Sequence, residues 1–247
     1  MQVDAFAIRL RPRSPMEAAD LGVRLCQQAA RPVFVCYLTV MLPVLAFALA
    51  SFELAKWAPI LALWWLKPWL DRTILFVLSR AAFGQRTTLR ELWAAQRTVW
   101  WSRLITTLTL RRLSPWRAFT QPAYQLEGLH GGSLRKRVRQ LRVGKTGAAL
   151  LATGAFGLAE LSAVIALLSL MTWFAPTGYE PDLGALVRGE SAGLQFAISA
   201  AYAVAVAAIE PFYVGAGFAM YLNRRVELEA WDIEQEFRRA DFARAVR

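Results

Sequence analysis

The chain has 247 residues, a net charge of +11 and 56% hydrophobic residues, and it carries several apolar runs of the roughly twenty residues that fit a bilayer, more than one soluble core needs. Its single histidine, His130, and its two cysteines, Cys26 and Cys36, exclude a His-rich zinc site. With Cys26 expected in the cytoplasm and Cys36 inside the membrane, no disulfide is expected either, and the mixed, basic first thirty residues do not make a cleavable signal peptide.

In chain order, Ser14-Pro15-Met16-Glu17 reads as a capping box with proline at the first helical position. It predicts an amphipathic cytoplasmic helix over 15–30, with Ala18, Leu21, Leu25 and Ala29 on one face and Pro32 as the interruption. The first spanning segment is 33–52, bent at Pro43. The second, 57–83, is one broken helix in which Lys67, Pro68, Asp71 and Arg72 divide two apolar halves. Pro68 removes a backbone bond, and Lys67 and Asp71 stand four apart, where they can pair on one face.

Gly84 ends that helix, and Thr88 with Glu91 forms a second capping box. Residues 88–113 read as an amphipathic helix lying in the interface, too briefly apolar to cross it. Loop or short helix follows over 115–133. The stretch 135–145 then carries six basic residues in eleven. The third span is 146–174, with Glu160 as its one charge, and the fourth is 193–222, with Glu210 directly before Pro211. A polar, turn-rich link joins them. A charged amphipathic helix over 224–244 closes the chain, with Val226, Ala230, Ile233, Phe237 and Ala240 on its stripe.

The fold class predicted is therefore all-α, a single polytopic membrane domain of four transmembrane helices plus cytoplasmic or interfacial amphipathic helices. Lysine and arginine set its orientation. The segment to Pro32 holds five, 84–145 holds thirteen and the tail six, whereas the two opposite loops hold only Lys56 and Arg188. Both termini are expected in the cytoplasm of a bacterial inner-membrane, multi-pass protein. This distribution accounts for most of the positive charge without nucleic acid, and no aromatic residues interleave with the basic run.

A charge near the bilayer centre costs roughly 2.5–3.5 kcal/mol on insertion scales, so Glu160 and Glu210 face protein or water. They read either as a proton or ion relay in a small transporter or lipid-handling protein, or as partners of Arg72, Arg80 or a backbone group. Lys67, Asp71, Arg72 and Pro211 complete the intramembrane polar candidates. Lys67-Pro68 and Glu210-Pro211 occupy similar places in the two halves, a weak sign of an internal repeat. Gly147, Gly154, Gly157, Gly215 and Gly217 suit close helix contact within the bundle or with a second copy. Trp64, Trp65, Trp69, Trp100, Trp101 and Trp173 read mostly as interface anchors and lipid-facing bulk.

Arg135, Lys136 and Arg137 in the basic run suit anionic headgroups, or act as a topology signal. Gly144-Lys145-Thr146 is not a phosphate loop, because Arg139 stands where the first glycine belongs and a membrane helix follows. No catalytic, cofactor-binding or metal-ligating set is found, and His130 has no evident partner. A non-enzymatic chain without a cofactor is expected.

Two stretches carry a resemblance. Glu210-Pro211-Phe212-Tyr213-Val214-Gly215, continuing through Tyr221-Leu222-Asn223-Arg224-Arg225 to Leu228-Glu229-Ala230-Trp231-Asp232-Ile233-Glu234, is similar to a signature of an uncharacterised proteobacterial multi-pass inner-membrane family. Its members are encoded near a MoxR-type AAA+ ATPase, a von Willebrand-like protein and a transglutaminase-like membrane protein. The opening Arg13-Ser14-Pro15-Met16-Glu17-Ala18-Ala19-Asp20-Leu21-Gly22, with Ser79–Gly84 and Leu126-Glu127-Gly128, fits the same pattern. The chain also looks distantly like membrane domains associated with glycerophosphodiesterases. The resemblance implies a scaffold or assembly subunit of an envelope complex, with an ATPase or envelope protein as partner. It makes Glu210, Pro211, Asn223, Arg224, Arg225, Trp231 and Asp232 the positions to test, with Arg224, Arg225, Trp231 and Asp232 candidates for a partner or lipid surface.

Overall fold

A computed structural model describes residues 13–102, 104–109, 112–174 and 191–229. Helix α1, Pro15–Gln28, begins where expected: the Ser14 hydroxyl accepts from the Glu17 amide, and Pro15 fills a position whose missing N–H costs nothing. α2, Ala30–Ala50, follows after one residue. The break falls at Ala29 and not at Pro32, because a proline in the first helical turn displaces no intrahelical donor. α3, Ala58–Ala81, runs unbroken through Pro68. Gly84 stops it with a positive φ of 70°, a conformation open to glycine without a Cβ penalty.

The stretch expected as one interfacial helix over 88–113 is broken into pieces. α4, Leu89–Ala94, starts on the complete Thr88–Glu91 capping box, a π-helical turn covers Arg97–Trp101, and α5 is Leu104–Leu108. The break lets Trp100 turn inward and donate its indole N–H to the Thr73 hydroxyl at 2.9 Å. Trp100 is therefore a core residue and not an interface anchor. α6, Arg117–Leu126, and α7, Gly131–Arg142, are both strongly amphipathic. α8, Thr146–Trp173, and α9, Ala192–Glu229, complete the all-helical order, and α9 includes the first residues of the expected separate tail helix. The polar link over 175–190 and the tail from 230 onward, with Trp231 and Asp232, lie outside the described residues.

Among the described residues, three helical stretches are long and apolar enough to cross a membrane: Ala30–Glu53, Thr146–Met171 and Ala192–Glu229. α3, at 24 residues and so about 36 Å, has the length. Lys67, Asp71 and Arg72 near its middle keep the expected second span out of that class.

The bundle is organised on α9. From Glu210 to Asn223 nearly every residue of α9 is buried, with α1 along one side and α6 along another. Both crossings need glycine. A Cβ on Gly22 would stand 2.1 Å from the Gly215 carbonyl oxygen, and one on Gly217 would stand 2.4 Å from the Ala118 Cβ. Gly215 and Gly217 thus make the close contacts expected of them, whereas Gly147, Gly154 and Gly157 have open space around them. α2 packs on α3, α3 on α9, and Tyr37, Met41, Leu70, Ile74, Leu78, Phe218 and Tyr221 share the main core. α8 touches mainly α9 and leaves Leu151, Leu158, Leu161, Ile165 and Leu170 exposed. An apolar helix covered so sparsely by protein is suited to a hydrocarbon surround.

Candidate functional site

Five charged side chains form one chain of alternating sign. Lys67 Nζ lies 2.7 and 3.0 Å from the two Glu160 carboxylate oxygens and 2.6 Å from Glu210 Oε2. Arg117 Nη2 donates to the other Glu210 oxygen at 2.8 Å, and its Nε stands 2.9 Å from Asp71 Oδ2. Glu160–Lys67–Glu210–Arg117–Asp71 therefore links α8, α3, α9 and α6, then returns to α3. Asp71 and Glu210 are 0% and 2% exposed, a depth at which a lone carboxylate is untenable. Three acids meet two bases here. Arg112, stacked 3.5 Å over the Trp64 ring, lines the same pocket of about 300 Å3 as Lys67, Arg117, Glu160 and Glu210.

Lys67 and Asp71 are thus near neighbours on α3 but not each other's partners. Each faces an opposite charge from another helix, which ties elements together in a way that an i,i+4 pair cannot. The expected partners of the two glutamates are replaced in the same way. Arg72 gives its guanidinium to the Ser102 and Thr98 carbonyls and the Thr107 hydroxyl, and Arg80 reaches Glu91 at 2.7 Å. Their cation is Lys67, joined at Glu210 by Arg117, which stood in a stretch read as loop or short helix. The alternation of Phe119, Pro122, Ala123 and Leu126 with polar residues was the available signal that 117–126 forms an amphipathic helix. Pro211 is buried in α9 beside Glu210.

A second ion-paired cluster lies at the far end of α9. Arg137 pairs with Glu127 at 2.9 Å and with Glu229, while Arg225 reaches Glu229 at 2.7 Å. Lys145 and Arg224 both meet Glu227 at 2.8 Å, and Arg224 also donates to the Gln140 and Val143 carbonyls. Tyr221 donates its hydroxyl to Glu127 at 2.6 Å. Burial works against the charge on Arg137, but its hydrogen bonds to Glu229 and Glu127 outweigh burial and hold the guanidinium above its ordinary value. Arg137 and Arg224 therefore clamp α7 onto α9, while Arg225 pairs within α9, so all three of these candidate surface residues are engaged in ion pairs. Arg135 and Lys136, with Arg139, are the exposed members of the basic run.

Among the described residues no group of three or more His, Cys, Asp or Glu side chains is arranged to hold a metal ion. The chain matches no protein-family model, no curated protein and no solved structure in comparison.

Proposed function

We propose that this protein is an integral, non-catalytic assembly subunit of the bacterial inner membrane, with four spans and both termini in the cytoplasm. The observation that carries the reading is the exposed basic face of α7, Arg135, Lys136 and Arg139, on a helix clamped to the bundle by Arg137 and Arg224. A cationic surface on a rigid helix suits docking of an acidic partner, and the ATPase or envelope protein implied by the resemblance is the partner class to test first. The fourth span is α3. Its Lys67 and Asp71 meet opposite charges from α6, α8 and α9, which removes much of the cost of placing them at membrane depth.

Topology is tested by labelling single cysteines in intact cells with a membrane-impermeant thiol reagent. Lys56→Cys is expected to react from outside and Lys136→Cys only after permeabilisation. Reaction of both from the same side removes the four-span reading. The docking face is tested by affinity purification in mild detergent with mass spectrometry. Lys136→Glu with Arg139→Glu is expected to lose a stoichiometric protein partner while the chain stays inserted. Retention of every wild-type partner refutes that face.

The pocket beside Glu160 and Glu210 favours a second reading, a small transporter or lipid-handling protein that uses these acids. That reading requires Glu160→Gln to abolish transport at unchanged stability. A loss of stability with no transport to lose supports the assembly subunit.

A further inference from the structure

A cavity of about 930 Å3 lies between α3, the α5 segment, α6 and α7. That volume is near the upper end of the usual range for small-molecule pockets. Its lining divides by chemistry. Arg72, Arg117, His130 and Arg135 can carry positive charge, and no carboxylate is among the described lining residues. Arg117 already serves Asp71 and Glu210 on its other side, and Arg72 is held by two carbonyls and a hydroxyl. Both are therefore fixed in place, while Arg135 stands exposed at the rim. The first turn of α7, starting at Gly131, opens on the same space and adds its dipole to the positive field. The remaining wall is largely apolar. Trp101 and Ile105 are exposed there, Ile105 at 77%.

We infer that this cavity binds one acidic phospholipid, with the phosphate among His130, Arg135 and the α7 N-terminus and an acyl chain leaving past Trp101 and Ile105. Charge complementarity selects an anion, and the apolar wall selects an amphiphile over a free phosphate ester. An aliphatic chain on exposed Ile105 and Trp101 continues into the hydrocarbon that α8 and the outer face of α2 already require. The site is separate from the docking face, because Lys136 and Arg139 do not line it.

The test is native mass spectrometry of the detergent-solubilised full chain, titrated with phosphatidylglycerol, phosphatidylcholine or glycerol phosphate. One phosphatidylglycerol is expected to bind, with phosphatidylcholine and glycerol phosphate each at least about tenfold weaker. His130→Glu with Arg135→Glu is expected to weaken phosphatidylglycerol by at least about tenfold, since each surface charge is worth roughly 1 kcal/mol and tenfold is about 1.4. Both positions lie at the cavity's open side, and Ile105→Asp, at an exposed site on the acyl path, gives an independent loss. Lys136→Glu with Arg139→Glu changes the charge of α7 by at least as much and is expected to leave lipid binding unaltered. Equal binding of phosphatidylcholine, equal binding of glycerol phosphate, or unchanged affinity in both cavity variants overturns the assignment. Loss in the Lys136/Arg139 control to the same degree also overturns it, because a diffuse surface charge then explains the binding.

Discussion

Replacing Lys67 by methionine removes a cation that touches both Glu160 and Glu210. The volume is nearly kept, so the loss is electrostatic. Glu210, 2% exposed, is left with Arg117, which it must share with the wholly buried Asp71. Two acids then compete for one guanidinium, and Glu160 has lost the donor 2.7 Å away. Removing one partner of a buried pair costs about 3–5 kcal/mol, most of it the penalty on the charge left behind. Lys67→Met is therefore expected to lower the folding constant by between about a hundredfold and several thousandfold. Glu160→Gln leaves an amide oxygen that still accepts from Lys67, and Glu160 is the more exposed of the two acids, so its cost is no more than about 2 kcal/mol. Lys67→Met with Glu210→Gln removes the stranded charge as well and is expected to recover part of the loss, with a coupling of about 0.5–3 kcal/mol. Equilibrium unfolding by sodium dodecyl sulfate in mixed micelles, read by tryptophan fluorescence and circular dichroism, measures all three. A Lys67→Met cost below about 1 kcal/mol, or a Glu160→Gln cost as large as that of Lys67→Met, refutes an ion chain that holds the helices together.

Gly217→Val is expected to destabilise by about 1–3 kcal/mol or to displace α6, because its Cβ has 2.4 Å to the Ala118 Cβ, whereas Gly154→Val, with open space, is expected near neutral in the same unfolding assay. Asn223 holds the Arg13 backbone at both its N–H and C=O, at 2.8 and 2.9 Å, so Asn223→Ala is expected to release the start of α1 and accelerate limited proteolysis there. An unchanged cleavage rate contradicts that tether. The Glu91 carboxyl is held below its ordinary 4.5 by the Thr88 amide and hydroxyl and then by Arg80. A depressed acid stabilises above its unfolded value, and that support is lost as pH falls through the lower folded one. Amide protection in α4, corrected for the intrinsic exchange rate at each pH, is therefore expected to fall as pH drops below 4.5, and Glu91→Gln to flatten that fall.

Helix existence is set by local features that survive any packing. The Ser14 and Thr88 caps, the Gly84 stop and the apolar runs of α2, α8 and α9 all stand where hydropathy and capping chemistry put them. Boundaries moved where a local rule met a tertiary contact. Trp100 breaks an amphipathic helix to reach Thr73, and α9 continues past the membrane length because α1 and α6 cover its extension.

Within the sequence, Glu160 and Glu210 already stand out, because a carboxylate inside a twenty-residue apolar run demands a partner. Which partner is a different kind of question. Lys67, Asp71, Arg72, Arg80 and Arg117 are all equally charged on paper, and the assignment depends on which side chains meet when four helices close. Coulomb energy falls with distance but is blind to chain separation, so Lys67 reaches Glu160 across 93 residues and passes over Asp71 four away. The same holds at the C-terminal end of α9, where alternating basic residues of one helix part company: Arg137 turns inward to Glu127 and Glu229 while Arg135, Lys136 and Arg139 stay exposed. Composition and periodicity decide what must be buried or balanced, because those costs belong to each residue alone. Only the tertiary structure decides with whom, because pairing is a property of geometry between elements.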